Sequence, residues 1–180
     1  MPDRPVVLVG LMGAGKTSVA TRLAEALGRP LRDSDQDLQR RYGQSAAELF
    51  QRYGVAALHD REATVLLEAL AADPPPVIAA AASVIEDPRC RSALAGAFVV
   101  WLDAPPQVLA DRFRAAVADR GDHHRPEYHP DPDTMLADQH RRRAGRFREL
   151  ADLVVDAADT TPDRAAGTVL AALAGPSRPD

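Results

Sequence analysis

Apolar residues in this chain follow two rhythms: short β-branched runs, and longer stretches in which every third or fourth position is apolar. "PVVLV" (5–9) is a strand-like run closed by a glycine. "TSVATRLAEALG" (17–28) then sets Val19, Leu23, Ala26 and Leu27 at helical spacing until Gly28 ends it. "RPLRDSDQDLQRRYG" predicts a short second extended piece and an acidic turn. "SAAELFQRYG" opens with Ser45 and Glu48 three apart, the spacing of a capping box, so a helix is expected there. Residues 55–72 form a long amphipathic stretch free of Gly and Pro, and "DPPP" breaks the chain before a strand at "VIAA".

The second half repeats the alternation. "AFVVWLDAPP" (97–106) is a strand stopped by prolines, with Trp101 read as core. "QVLADRFRAAVADR" and "TMLADQHRRRAGRFREL" are helical, "ADLVVDA" is a strand, and a last helix runs from about Pro162 to Leu173. Between the two helices, "GDHHRPEYHPDPD" (121–133) is polar, rich in Pro and His, and aperiodic, which predicts a loop of unusual length and lid type. Strands alternating with helices predict an α/β fold: a parallel sheet wrapped on both faces, in three layers. No internal repeat or second domain is visible. The expected organisation is one domain over 1–175, with a lid at about 119–132 and a tail at 176–180.

Composition narrows the class. With 180 residues and 46% hydrophobic content, the chain can bury a core without disulfides or metal. A net charge of −4 gives no basic surplus for nucleic acid, so none is expected as a partner. The start "MPDRPVVLVGLMG" lacks an h-region with a cleavage site, and no 18-residue apolar stretch occurs. The expectation is a cytoplasmic protein without membrane contact. Cys90, the single cysteine, excludes an internal disulfide and reads as a small, partly buried side chain.

The chemistry begins at "GLMGAGKT" (10–17), which fits G-x-x-x-x-G-K-[ST] at Gly10, Gly15, Lys16 and Thr17. Residue frequencies alone would produce such a run in roughly one chain of this length in a hundred or fewer. It also follows a strand and opens a helix, as its mechanism demands. Gly10, Gly13, Ala14 and Gly15 would turn successive backbone N–H groups onto phosphate oxygens, with Ser18 in the first turn of the helix. Lys16 would reach the β and γ phosphates, and Thr17 would ligate magnesium. The nucleotide is expected to be ATP with Mg2+. "DSD" (33–35) places two carboxylates at the end of the second extended piece. One suits the metal and the other an acceptor hydroxyl, although Asp and Ser are also ordinary turn residues.

With these residues in place, the chain resembles the shikimate kinases, small members of the nucleoside-monophosphate-kinase-like P-loop kinases. The likeness is carried by "GLMGAGKTSVATRLAEALGRPLRDSDQDL", "GQSAAELFQRYGVAALHDREATVL" and "RRRAGRFRELADLVVD", over roughly residues 5–173. It implies a five-stranded parallel sheet of order 2-3-1-4-5, a mobile lid, and transfer of the ATP γ-phosphoryl group to a hydroxyl of a small acceptor. It also implies a monomer. By position, Asp33 resembles the carboxylate near the metal, and Asp35 the residue that holds or deprotonates the acceptor hydroxyl. Arg112 resembles the arginine that packs on adenine, with Pro162 near the opposite face, and Arg125 the lid arginine that closes on the phosphates.

The acceptor half departs from the family pattern. Where the family has F-R-x-x-E, with an arginine that grips the shikimate carboxylate, this chain has "LHDRE", which puts His59 in the arginine's place. The family's G-G-G run after the third strand is here Ala81, Ala82, Ser83, and each added Cβ excludes the φ > 0 conformations open to glycine. Arg143 resembles the second carboxylate-gripping arginine, although "AGRF" replaces the proline-leucine-tyrosine that follows it. The basic stretch "HRRRAGR" (140–146) reads first as a solvated helix face, and secondly as Arg143 facing the acceptor with its neighbours near phosphate. His123, His124 and His129 lie in a polar loop with no visible carboxylate scaffold, which argues against a metal cluster.

Three functions fit these residues: a kinase whose pocket is reshaped for an acceptor other than shikimate, a genuine shikimate kinase with a tolerant pocket, and a nucleotide-binding regulatory protein without kinase activity.

Overall fold

Strand β1 (Val6–Val9) lies at the centre of the sheet because none of its side chains asks for water: all four are fully buried. The computed structural model describes residues 4–120 and 131–175. In it, β1 pairs in parallel with β3 (Val77–Ala79) on one side and β4 (Phe98–Asp103) on the other. β2 (Leu31–Asp33) and β5 (Leu153–Asp156) complete a five-stranded parallel sheet of order β2-β3-β1-β4-β5, as expected.

The helices follow the apolar periodicity: α1 (Lys16–Leu27), α3 (Ala46–Leu70), α5 (Pro106–Arg120), α6 (Pro132–Leu150) and α7 (Pro162–Ala174). Trp101 is buried in β4 and stacks on Phe147 of α6, the core role its sequence context predicts. Cys90 is fully buried too. Burial pushes its thiol up to about 11, with a smaller contribution from the Asp87 charge. No helix among the described residues is long and apolar enough to cross a membrane.

Two segments differ from the sequence reading. The acidic turn after β2 is a helix, α2 (Ser34–Tyr42). Asp33 caps its N-terminus, Asp35 and Asp37 sit in its first turn, Arg40 and Arg41 in its last, and Gly43 closes it in the left-handed region. Asp37 itself is buried, held by Arg32 at 2.9 Å and by Arg40. The helix lacks a clear apolar stripe, having only Asp37 and Leu38 buried, so periodicity could not find it. The second difference follows β3: a 3₁₀ turn (Ala82–Glu86) leads into α4 (Pro88–Leu94), whose N-terminus Asp87 caps. The helix at Ser45 has the expected capping box. It runs on into the 55–72 helix as one element, broken at Gly54, whose φ of 81° and ψ of 173° leave the helical region.

Register brings the chemistry together. Leu8 of β1 and Asp33 of β2 both align with Ala79 of β3, so all three strands end at one edge. The phosphate loop, the start of α2 and the alanine turn therefore leave the sheet side by side, at the carboxyl ends where α/β sheets bind ligands.

Candidate active site

The loop between β1 and α1 is held in shape by steric constraints that only glycine satisfies. A Cβ on Gly10, at φ 145°, would stand 2.6 Å from the Leu102 carbonyl oxygen. One on Gly13, at φ 84°, would stand 2.6 Å from that of Leu109. Gly15 caps α1 in the left-handed region at φ 85°. Ala14 is buried, and its N–H donates to Leu11 O at 3.3 Å. Lys16 Nζ donates to the carbonyls of Gly10 and Leu11 at 2.9 and 3.1 Å, which keeps the ammonium over the loop. The cradle, the lysine and the helix N-terminus at Lys16–Thr17–Ser18 fit a polyphosphate.

Thr17 Oγ1 donates to Asp33 Oδ2 at 2.7 Å, while Asp33 Oδ1 accepts the N–H groups of Asp35 and Gln36 at 3.0 and 3.4 Å. Asp33 is buried and Asp35 is exposed. Asp33 thus joins the first helix of the phosphate site to the first turn of α2, where Asp35 stands. The hydroxyl and the carboxylate oxygen are the hard donors that Mg2+ takes, and bound there the ion would neutralise phosphate charge.

Across the sheet, Arg112 Nη2 donates to Ala158 O at 2.7 Å, which ties α5 to the loop before α7. Pro162, exposed, is the first residue of α7. The two residues expected at the adenine are therefore attached to one loop. Arg125, His123, His124, His129 and most of the expected lid fall outside the described residues.

On the acceptor side, α3, the 3₁₀ turn and α6 meet. Ala81 has φ −63° and ψ 149°, a conformation open to any residue, and is buried together with Ala79 and Ala80. Ala82 is half-buried. The row of methyl groups is a packed wall. Ser83 is buried, and its hydroxyl donates to the buried Glu62 carboxylate. Arg143 is buried, donating through Nη2 to Glu86 Oε2 at 2.8 Å and through Nη1 to Gln139 Oε1 at 3.1 Å. Burial pushes the Glu86 carboxyl up. The Arg143 hydrogen bond and the charges of Arg143, His59 and Arg146 more than offset this, and hold it below the usual carboxylate range.

Two of these carboxylates escaped sequence reasoning. Glu62 is the last residue of "LHDRE", so the pattern held its signal. Glu86 had none, because the turn that carries it was not foreseen.

A glycine cradle, a paired threonine and aspartate, and an exposed second aspartate at the carboxyl edge of a 2-3-1-4-5 sheet define a P-loop kinase. The shikimate kinase family model matches residues 12–174, and the chain belongs to that family. It is 39% identical over 147 residues to the shikimate kinase of Symbiobacterium thermophilum, covering 81% of this chain and 76% of that one. It is 36% identical over 167 residues to that of Thermobifida fusca, covering 92% and 93%. Among solved structures, shikimate kinase from Acinetobacter baumannii in complex with shikimate superposes with a TM-score of 0.84 at 29% identity, covering 94% of this chain and 92% of that one. As a member of the family the protein uses ATP and Mg2+.

Proposed function

We propose that the protein transfers the γ-phosphoryl group of ATP to a hydroxyl of a small polyhydroxylated acceptor, and that shikimate is a poor acceptor. The observation that carries the kinase reading is the double engagement of Asp33, with Thr17 on one oxygen and the Asp35 backbone on the other. It sets the metal donors beside a carboxylate suited to orient or deprotonate an incoming hydroxyl. Phosphoryl transfer needs little else beyond positioning and charge neutralisation, roles assigned here to Lys16 and Arg125.

The acceptor would lie against His59, Ala81, Ala82, Ser83 and Arg143. Histidine in place of the family's arginine forfeits a charge-assisted hydrogen bond to a carboxylate, about 1.5–3 kcal/mol or roughly 10- to 150-fold in affinity. A second reading, genuine shikimate kinase, is favoured by Arg143, which remains buried on the acceptor side, and by the relatives that bear that name.

ADP release with ATP, Mg2+ and millimolar shikimate, set against a blank without acceptor and a Lys16→Ala control, separates the two. Stimulation by uncharged polyols with little by shikimate supports the first reading. Robust Lys16-dependent stimulation by shikimate replaces it with the second.

A further inference from the structure

Arg143, which by position resembles the family's carboxylate-gripping arginine, is paired within the protein with Glu86. Glu86 arises from the 3₁₀ turn directly after the Ala81–Ser83 wall and reaches the guanidinium of Arg143 at 2.8 Å, within the field of His59. The other Arg143 terminal nitrogen is taken by Gln139. Both ends of the guanidinium fork are thus already bonded by the protein. The Arg143 side chain is 11% exposed against 35% for Glu86, so the more accessible member of the pair is the anion. A ligand approaching here meets a carboxylate, which accepts hydrogen bonds from hydroxyls and competes with any other carboxylate for Arg143.

We propose that Glu86 is a specificity-determining residue that occupies the carboxylate subsite from within the protein, so that the site selects an uncharged polyol over a hydroxy acid. The assignment rests on the phosphoryl-transfer reading and names its acceptor class. Glu86 would serve a neutral acceptor through its carboxylate oxygens and exclude an anionic one by holding Arg143.

A matched pair of probes isolates that charge: shikimate and its primary carboxamide, which share the ring and hydroxyls and differ in one negative charge. Titration calorimetry of both into the wild-type protein, Glu86→Gln and Glu86→Ala is the test. Wild type is expected to bind the amide roughly tenfold or more tighter than the acid, and Glu86→Gln to reverse that order by removing the negative charge that competes for Arg143. Gln keeps the shape of the side chain, so the result stands even if the Ala variant folds poorly. A wild-type preference for the acid, the same acid-to-amide ratio in wild type and Glu86→Gln, or undetectable binding of both probes by all proteins overturns the proposal. Binding is read without turnover, so it fails separately from the kinase reading, which is judged by ADP release on the same preparations.

Discussion

Thr17 and Asp33, 16 positions apart, are joined by a 2.7 Å hydrogen bond that fastens the first turn of α1 to the end of β2. The second oxygen of Asp33 caps α2, so one buried carboxylate serves both the Thr17 hydroxyl and the helix that presents Asp35. Loss of a cap of this kind costs about 1 kcal/mol.

The two duties of Asp33 separate by substitution. Asp33→Asn retains an oxygen for the α2 amides and should melt within a few degrees of wild type, while requiring several-fold more Mg2+ for half-maximal turnover. Asp33→Ala should lose about 1 kcal/mol of stability as well. Thermal denaturation and Mg2+ titration read the two effects. An unchanged Mg2+ requirement in both variants would leave Asp33 a helix cap alone.

Gly13→Ala should be far more damaging than Gly28→Ala. Both residues have positive φ, which costs an alanine about 1 kcal/mol or more. Only at Gly13 does the new Cβ also meet backbone, at 2.6 Å from the Leu109 carbonyl oxygen, whereas at Gly28 the space is open. Overpacking of this kind adds about 1–3 kcal/mol. Urea midpoints compare the two, and equal losses would contradict the steric account.

Asp87 titrates at about 2, lowered chiefly by the side-chain hydrogen bond from Arg89, against a small rise from burial. Its folded value lies below the ordinary 3.8, so its contribution to stability is present above that value and fades as pH falls through about 2. Asp87 is half-buried but its partner Arg89 is exposed, and the effect is correspondingly small. Arg89→Ala should return the Asp87 carboxyl towards its ordinary value in an NMR titration. A titration midpoint that stays near 2 in the variant would assign the shift to the helix cap instead.

Most of the scaffold was legible because its signals are local. The β-branched runs gave the strands, apolar spacing the long helices, and Gly10 with Gly15, Lys16 and Thr17 the phosphate site. Helix α2 was missed because acidic and basic residues cover nearly all of it and its stability comes from capping and charge placement. The alanine run raised a question of conformation that the backbone resolves: Ala81 sits at φ −63°, so the turn requires no glycine. His59, Ala81–Ser83 and Arg143 are expected together on the acceptor side from the resemblance. The pairing of Arg143 with Glu86 is a tertiary fact, created by the 3₁₀ turn and α6 meeting, and no spacing in the chain encodes it.

Asp35 is proposed to act on an acceptor hydroxyl during transfer of phosphate from ATP. Mass-spectrometric detection of phosphorylated product across a panel of cyclitols, sugars and shikimate, with wild type and Asp35→Asn, tests it most directly. The account predicts a phosphorylated acceptor from the wild type and a rate lower by about 10²-fold or more in Asp35→Asn, with ATP affinity preserved. Full activity of Asp35→Asn, or ATP binding by the wild type with no phosphorylated product from any acceptor, would contradict it.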